Sequence, residues 1–258
     1  TISSSARMFP HRPHITVGVV HDMTPKGVAI HGICSNYLAR VQPGERVIAT
    51  IRKSTFRAPH DPQAPTILVG PGTGYAPLHG FLQDRQAQLE WDGAGLGPCH
   101  LFSGCRVAPD RIYAAQIDQW AQQGAVISRL HLALSRADTT RRVYVQSLLR
   151  EMGQELATLL LDPCTHYYVC GDAKMADACF ESCVAVLVAH ADMSRVMAVR
   201  HLHAMRAAGR WQQDVWGIVE SFRESRSDFV KRKNQAARIW LKHFSSDDGT
   251  VESERRSS

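Results

Sequence analysis

The fold of this chain is decided by Ile67-Leu68-Val69-Gly70-Pro71-Gly72-Thr73-Gly74-Tyr75-Ala76-Pro77-Leu78, where a short apolar run meets a glycine-rich turn with one hydroxyl and then a helix-like segment. This order places backbone N–H groups at a helix N-terminus, where unpaired donors and the macrodipole favour a phosphate. Glycine turns between strand and helix also occur for geometric reasons alone. By itself, the turn therefore leaves ligand binding and a purely structural role equally open.

The same strand–turn–helix order recurs from residue 66 to about residue 190. The predicted strands are Thr66–Val69, His100–Ser103, Ser128–Leu134 and His166–Cys170, and the predicted helices are Leu78–Leu89, Ile112–Gln122, Val143–Leu161 and Ala173–Val188. A further helix and an end strand follow in 194–216. Such alternation predicts a parallel five-stranded sheet covered by helices, whose ligands bind beyond the carboxyl ends of the strands.

Residues 1 to about 57 differ in character and predict β-structure. His14–Val20 and Arg46–Arg52 are rich in β-branched residues and predict strands, and Gly32–Arg40 predicts a turn that opens a short helix. The segment His60–Pro65 contains two prolines and predicts a linker. We therefore expect three regions, with boundaries at 1–60, 61–217 and 218–258. The last is a basic helical extension, 218–244, that ends in a polar and disordered tail, 245–258.

Composition limits the classes of function. The 258 residues are 44% hydrophobic, enough for a sizeable core, and no apolar run approaches the ~18 residues of a membrane span. The net charge of +6 fits anionic cofactors or acidic partners and is too small to argue for nucleic acid. The seven cysteines show neither a paired C-x-x-C metal spacing nor a disulfide framework, so we expect a reducing compartment and no metal.

The four predicted strand exits carry polar or cationic groups. In chain order these are Gly70–Gly74, then Gly104-Cys105-Arg106, then Ser135-Arg136 with Arg142, Tyr144 and Gln146 beyond it, and finally Cys170-Gly171-Asp172-Ala173-Lys174-Met175. Each also has a plain interpretation, for example Arg106 as a solvated charge or Tyr144 as a packing aromatic. Since a parallel sheet brings all four exits to one edge, we favour a binding site there.

The third exit indicates which nucleotide would bind. Ser135, Arg136 and Arg142 offer a hydroxyl and two cations, and a planar guanidinium pairs with phosphate oxygens in bidentate fashion. An arginine in the place of a carboxylate that would hold the ribose 2′-OH suits a 2′-phosphate. The pattern therefore favours NADP over NAD.

These residues resemble the diflavin reductases, in particular the ferredoxin–NADP reductase-like FAD/NADPH module of the NADPH–cytochrome P-450 reductase family. The resemblance extends from Thr1 to about Trp216. It rests on these motifs, in the family's order: Thr1-Ile2-Ser3-Ser4-Ser5, Gly32-Ile33-Cys34-Ser35-Asn36-Tyr37-Leu38, Gly70–Pro77, Gly104-Cys105-Arg106, Ser135-Arg136, Val143-Tyr144-Val145-Gln146, Tyr168-Val169-Cys170-Gly171-Asp172 and Asp214-Val215-Trp216. It implies an α/β fold in which a Rossmann-like NADP-binding domain follows the C-terminal part of an antiparallel β-barrel that binds FAD.

The resemblance also implies roles for single residues. Thr1, Ile2 and Ser3 would lie near the flavin ring, and the turn Gly32, Ile33, Cys34 and Ser35 would bind the FAD pyrophosphate. Gly72, Thr73 and Gly74 would bind the NADPH pyrophosphate, while Cys105 and Arg106, together with Ser135, Arg136, Arg142, Tyr144 and Gln146, would complete the coenzyme site. Cys170, Gly171, Asp172 and Met175 would line the fourth exit. Thr1, Cys170 and Asp214 would surround the hydride path, and Trp216 would cover the isoalloxazine ring until nicotinamide displaces it.

The implied activity is transfer of hydride from NADPH to FAD and of electrons onward to FMN or a haem-protein acceptor. FMN would belong to an upstream domain or a flavodoxin-like partner, since the chain opens on Thr1 and we expect further sequence before it. Two alternatives remain: a module of the sulfite reductase flavoprotein or nitric oxide synthase type, and a redox-inactive NADP(H)-binding interaction module. We expect a cytoplasmic protein, or one held at the cytosolic face of the endoplasmic reticulum by an upstream anchor. Contact of the basic extension with a membrane or a partner is a further hypothesis.

Overall fold

The computed structural model describes residues 1–216 except Pro25, Thr139 and Arg141. The predicted basic extension and polar tail lie outside the described residues. Two short strands come first, β1 (His21–Met23) and β2 (Ala29–His31), and the helix α1 (Ile33–Leu38) follows them. The remaining strands are β3 (Thr66–Val69), β4 (Cys99–Cys105), β5 (Arg129–Leu134), β6 (His166–Asp172) and β7 (Trp211–Trp216).

Strands β3 to β7 form the predicted parallel sheet, in the order β5-β4-β3-β6-β7. The central strand β3 pairs with both neighbours, so that Val69 lies opposite Phe102 in β4 and Val169 in β6. Because every neighbouring pair in this sheet is parallel, the carboxyl ends of all five strands lie at one edge. The prediction of one common edge for the strand exits is confirmed.

Six helices accompany this sheet: α2 (Tyr75–Trp91), α3 (Ala114–Gln123), α4 (Val145–Met152), α5 (Gln154–Leu161), α6 (Ala173–His190) and α7 (Arg195–Ala207). Short 3₁₀ turns occur at Gly72–Gly74 and Ala108–Asp110. All four residues of β3 are buried, as expected for the centre of a parallel sheet covered on both faces. Leu68, Leu82, Leu101, Ile117, Trp120 and Tyr168 belong to one apolar core cluster.

The predicted single helix over Val143–Leu161 is wrong. It is divided at Gly153, whose φ of 54° lies in the left-handed region and ends α4 before α5 begins. Several other predicted bounds are short by a few residues, since α2 begins at Tyr75 and β6 continues to Asp172, whereas α3 begins two residues later than predicted, at Ala114. These extensions bring the strand and helix ends closer to the glycine turns.

The predicted strands His14–Val20 and Arg46–Arg52 are also wrong. Among the described residues of this region, regular pairing is limited to the β1–β2 hairpin and an isolated antiparallel bridge between Ile2 and Ile15. A β-branched sequence becomes a strand only when another strand satisfies its backbone hydrogen bonds, and neither segment has such a partner in the described part of the chain. Among the described residues, the regular elements in the region predicted to be part of a barrel are the antiparallel hairpin and α1.

Within the described residues, no helix combines the length and apolar character that crossing a membrane requires.

Candidate functional site

The glycine-rich turn after β3 presents unoccupied backbone donors at the common edge. Its 3₁₀ segment runs directly into α2, and neither helix start has a side-chain cap or an acidic residue in its first turn. The Gly74 N–H donates to the Pro71 carbonyl over 3.0 Å and closes the turn. Since the first N–H groups of a helix have no partners within it, this turn suits an anionic ligand.

Two positions in this turn require glycine, each for a different physical reason. A Cβ atom on Gly74 would lie 2.1 Å from the Cys170 carbonyl oxygen, so only glycine allows the turn to pack against the end of β6. Gly72 has a φ of 55°, and a Cβ there would meet no atom within 4 Å. The turn is therefore tightly packed on the β6 side and open at Gly72, where a ligand could approach.

The exits of β4 and β5 are joined by hydrogen bonds. The Ser135 N–H donates to the Cys105 carbonyl over 2.9 Å, and the Arg136 N–H donates to the Arg106 carbonyl over 2.8 Å. The Ser135 hydroxyl also donates to the Cys105 carbonyl, over 3.3 Å. These bonds hold the bases of the Arg106 and Arg136 side chains close together.

The cations at this edge are free for a ligand. Arg106, Arg136 and Arg142 are exposed, and none of them forms an ion pair with another described residue. Tyr144 is exposed beside them and is the residue that precedes α4. Three unpaired guanidinium groups and an exposed aromatic ring suit a phosphorylated nucleotide.

Gln146, in the first turn of α4, supplies an independent indication that a ligand fits here. Its Oε1 atom is buried and has no hydrogen-bond partner among the described residues. A buried acceptor without a donor is costly, and most such atoms in proteins are satisfied. A ligand donor reaching this atom would remove that cost, which is why the residues present fit the predicted nucleotide.

The exit of β6 is organised differently from that of β3. The Asp172 carboxylate accepts from the N–H groups of Lys174 and Met175, over 2.9 and 3.3 Å, and so caps α6. Gly171 has a φ of 150°, and a Cβ there would lie 2.6 Å from Met175 Cε. Because Asp172 already fills the N-terminus of α6 with negative charge, an anion would bind at the β3 turn instead.

Three of the predicted hydride-path residues lie close together. Cys170 pairs in register with Asp214 on β7, and Thr1 and Asp214 both line a cavity of about 690 Å³. Burial, with a smaller contribution from the Asp214 carboxylate, raises the pKa of the Cys170 thiol to about 12. The thiol is therefore protonated at neutral pH and can donate a hydrogen bond.

Trp216 lies at the end of β7, opposite Asp172 in register. Its side chain is 53% exposed, so half of the indole surface faces solvent at the common edge of the sheet. A large aromatic residue in this position has room for a planar ligand against it.

The second predicted phosphate turn lies at the start of α1. The Ser35 hydroxyl accepts from the Val20 N–H over 3.1 Å and donates to the Gly32 carbonyl over 3.2 Å, so it holds the turn together. Ile33 and Cys34 are exposed at its tip. The backbone of the turn is thus accessible, whereas the Ser35 hydroxyl already has protein partners.

Residues 18–20 run between the two turns. A Cβ on Gly18 would lie 3.2 Å from Thr73 Cγ2, and Val20 is bonded to the Gly32–Ser35 turn. The predicted NADPH and FAD pyrophosphate turns are therefore neighbours, connected by three residues of one segment.

His79, which was not among the predicted site residues, joins the N-terminal region to the sheet. It is buried, with Nδ1 2.6 Å from the Ser3 carbonyl oxygen and Nε2 2.7 Å from Gln116 Oε1. Its ring stacks on Tyr113 with centroids 3.9 Å apart, and the Tyr113 hydroxyl lies 2.7 Å from Thr16 Oγ1. A polar residue inside the apolar first half of α2 was the only available signal.

The chain is similar in sequence to known proteins. Residues 68–181 match the family model of the oxidoreductase NAD-binding domain. The chain is 36% identical over 244 residues to a nitric oxide synthase of Bombyx mori, and 38% identical over 222 residues to an NADPH–cytochrome P450 reductase of Drosophila melanogaster. These matches cover 91% and 84% of this chain.

A bifunctional cytochrome P450/NADPH–P450 reductase of Bacillus subtilis is 38% identical over 223 residues. The chain spans only 20%, 32% and 20%, respectively, of these three relatives. Residues 68–181 are thus similar to oxidoreductase NAD-binding domains, and most of the chain is similar to one part of the NADPH–cytochrome P450 reductases and nitric oxide synthases.

Proposed function

We propose that the chain is the NADPH- and FAD-binding reductase module of a larger flavoprotein, which delivers electrons to FMN or a haem protein. The observation that carries the proposal is that an uncapped glycine turn, three exposed arginines and the buried acceptor of Gln146 meet at one sheet edge, where the described residues offer the arginines no ion pair and Gln146 Oε1 no donor. NADPH supplies a hydride, and FAD accepts it and releases single electrons, which is the chemistry that links a two-electron donor to haem.

The chain's own residues bind and orient the coenzyme. The N–H groups around Thr73 would hold the pyrophosphate, and Arg136 with Arg142 would pair with the 2′-phosphate. Tyr144 would pack on the adenine. Binding at these three points would fix the direction in which the nicotinamide leaves the turn, towards Cys170 and Asp214.

The residues near the reacting atoms exclude water and place charge. The Cys170 thiol stays protonated because burial raises its pKa to about 12. Asp214 would keep a negative charge beside it, and Trp216 would cover the flavin until the nicotinamide takes its place. For FAD, Thr1, Ile2 and Ser3 would contact the flavin, and the Gly32–Ser35 turn would hold the pyrophosphate through its backbone.

The 2′-phosphate assignment is tested by measuring the dissociation constants of NADPH and NADH by calorimetry. In the variant Arg136→Ala/Arg142→Ala, NADPH binding should weaken about 10- to 100-fold, which is about 1.4–2.8 kcal/mol. NADH binding should change less than about threefold. The control is Arg200→Ala, an exposed arginine on α7. Equal losses for both coenzymes would contradict the assignment.

The role of Trp216 is tested by coenzyme preference in the complete flavoprotein. If the indole must yield to nicotinamide, Trp216→Ala should raise the rate of flavin reduction by NADH relative to that by NADPH. Trp91→Ala, which removes an exposed indole at the end of α2, is the control. An unchanged coenzyme preference in Trp216→Ala would contradict the proposal that nicotinamide must displace this indole.

A redox-inactive binding module is the contrasting possibility. Flavin absorbance at ~450 nm that bleaches on addition of NADPH to the complete protein supports a reductase. A colourless protein that still binds 2′,5′-ADP would instead identify an NADP(H)-binding interaction module.

A nitric oxide synthase-type acceptor is a second candidate because the Bombyx mori match is longer than the P450 reductase match, whereas the match to nitric oxide synthase 3 of Sus scrofa, at 84% of the chain, is no longer. The Bombyx mori match covers 91% of 258 residues, about 235, and so must continue beyond Trp216. The Drosophila melanogaster match, at 84%, need not do so. NADPH oxidation that forms nitric oxide would support this candidate. Oxidation that requires an added cytochrome P450 would support the P450 reductase type.

The place of the module in the cell follows from the same proposal. A reductase of either type would work in the cytoplasm or, if an upstream anchor holds it, at the cytosolic face of the endoplasmic reticulum. Fractionation of cells that express the complete protein separates the two locations.

A further inference from the structure

The hairpin of β1 and β2 carries two histidines that face each other across the strands. His21 and His31 are partners in the antiparallel register, and both are exposed. Their Nδ1 atoms are 2.9 Å apart, and the two rings meet edge to face with centroids 5.1 Å apart. The proposed reductase function uses neither side chain.

The separation of the two nitrogens fits a particular coordination geometry. Imidazole nitrogens bind divalent transition metals at about 2.0–2.1 Å. Two such nitrogens in neighbouring positions of a square-planar or octahedral ion, at 90°, lie about 2.9 Å apart, whereas a tetrahedral ion separates them by about 3.3 Å. The observed 2.9 Å is the length of an ordinary hydrogen bond between the two nitrogens and is also close to the first arrangement, so such an ion can bind with little movement of the rings.

The ends of the strands hold this pair in place. The Gly32 N–H donates to the Val20 carbonyl over 3.0 Å, and Asn36 Nδ2 donates to the same oxygen over 3.0 Å. The residues next to His21 and His31 are thereby tied to each other and to α1. A chelate whose ligands are already positioned loses less conformational entropy on binding.

We propose that His21 and His31 form a surface chelate for a divalent transition-metal ion that prefers tetragonal geometry, Ni²⁺ or Cu²⁺. The ion takes the place of the proton that the two Nδ1 atoms share in the metal-free hydrogen bond. Water completes its coordination, since the described residues include no cluster of three or more His, Cys, Asp or Glu side chains able to hold a metal. Hard ions such as Mg²⁺ and Ca²⁺ prefer oxygen ligands and do not bind here.

The test is calorimetric titration of the purified 258-residue chain with Ni²⁺ alone. We expect one site that is lost, or weakened at least tenfold, in both His21→Ala and His31→Ala. The double variant should be no weaker than either single variant, because removal of one ligand already destroys the chelate. Circular dichroism of each variant shows that the fold is retained.

Two matched variants exclude other sources of binding. His60→Ala removes an exposed histidine outside the hairpin, and Cys34→Ser removes an exposed thiol three residues beyond His31. Both should keep the site. The proposal is overturned if the affinity survives in His21→Ala and His31→Ala, if Cys34→Ser removes it, or if the losses in the double variant add as for two independent sites.

Discussion

The sheet region and the N-terminal region of this chain bury their apolar residues to very different degrees. All four residues of β3 are buried, whereas every residue of β1 and β2 is exposed. Leu68 is 1% exposed, while Ile33 is 88% exposed and Ile48 is fully exposed. A parallel sheet with covering helices completes its own core, but a two-stranded hairpin cannot, because it has too few strands to enclose one.

The largest effect should come from glycine substitution, and it should separate the two regions. In Gly74→Ala the new Cβ would lie 2.1 Å from a backbone carbonyl, so we expect a loss of more than about 4 kcal/mol in the free energy of unfolding. In Gly27→Ala, at the β1–β2 turn, the φ of 79° is strained but the space is open, so we expect about 1 kcal/mol. Urea unfolding measures both. Equal losses of unfolding free energy in the two variants would contradict the difference in packing between the two regions.

Truncation of apolar side chains should also destabilise the sheet region more than the N-terminal region, with smaller losses of unfolding free energy than Gly74→Ala. Leu68→Ala leaves a cavity in the core and should cost about 2–5 kcal/mol. Ile48→Ala removes a side chain that is already in water and should stay within about 0.5 kcal/mol. Thermal and urea denaturation compare the pair. A substantial loss in Ile48→Ala would mean that this segment packs against something in solution.

His79 tests how firmly the two regions are joined. His79→Leu leaves the buried Ser3 carbonyl and the partly buried Gln116 amide without their partner, which should cost about 1–3 kcal/mol for the carbonyl and less for the amide. The N-terminal region should become more accessible to protease, while the sheet stays protected. His14→Leu, an exposed histidine next to the same segment, is the control. Unchanged proteolysis in His79→Leu would show that other contacts hold the regions together.

The smallest effect near neutral pH should be a pH dependence that originates in the sheet region and grows in acid. Burial lowers the pKa of His131 to about 4, helped by the charges of His100 and Arg129, while Glu155 faces His100 from α5. The folded chain thus disfavours a proton that the unfolded chain accepts near pH 6.5. Stability from His131 is complete above about pH 6.5 and is lost as the pH falls towards 4.

The measurement is the slope of the free energy of unfolding against pH. His131→Gln should show a shallower decline than the original chain between pH 6.5 and 4, whatever its stability at pH 7. His60→Gln, at an exposed position, should keep the original slope. Identical slopes in His131→Gln and the original chain would show that His131 does not contribute to the loss of stability in acid.

Much of the sheet region could be predicted because its signals are local. An apolar run, a glycine turn and a helical segment recur, and β3 has the predicted bounds Thr66–Val69. The grouping of Arg106 with Ser135 and Arg136 also followed, since parallel strands end at one edge. The break at Gly153 was missed because glycine is tolerated inside helices and its left-handed φ is invisible in the sequence.

From residue 66 onwards the local sequence predicted the alternation of strands and helices, the position of the glycine turn and the residue types at the strand exits, because periodicity and turn chemistry are properties of neighbouring residues. Which segments of the N-terminal region became strands depended on the tertiary structure, because pairing needs a partner that the segment does not contain. It also brought Ser3 to His79, Thr1 to Asp214 and His21 to His31. The glycine turn that opens the sheet is thus a local feature, whereas the surroundings that give it a function are assembled from distant parts of the chain.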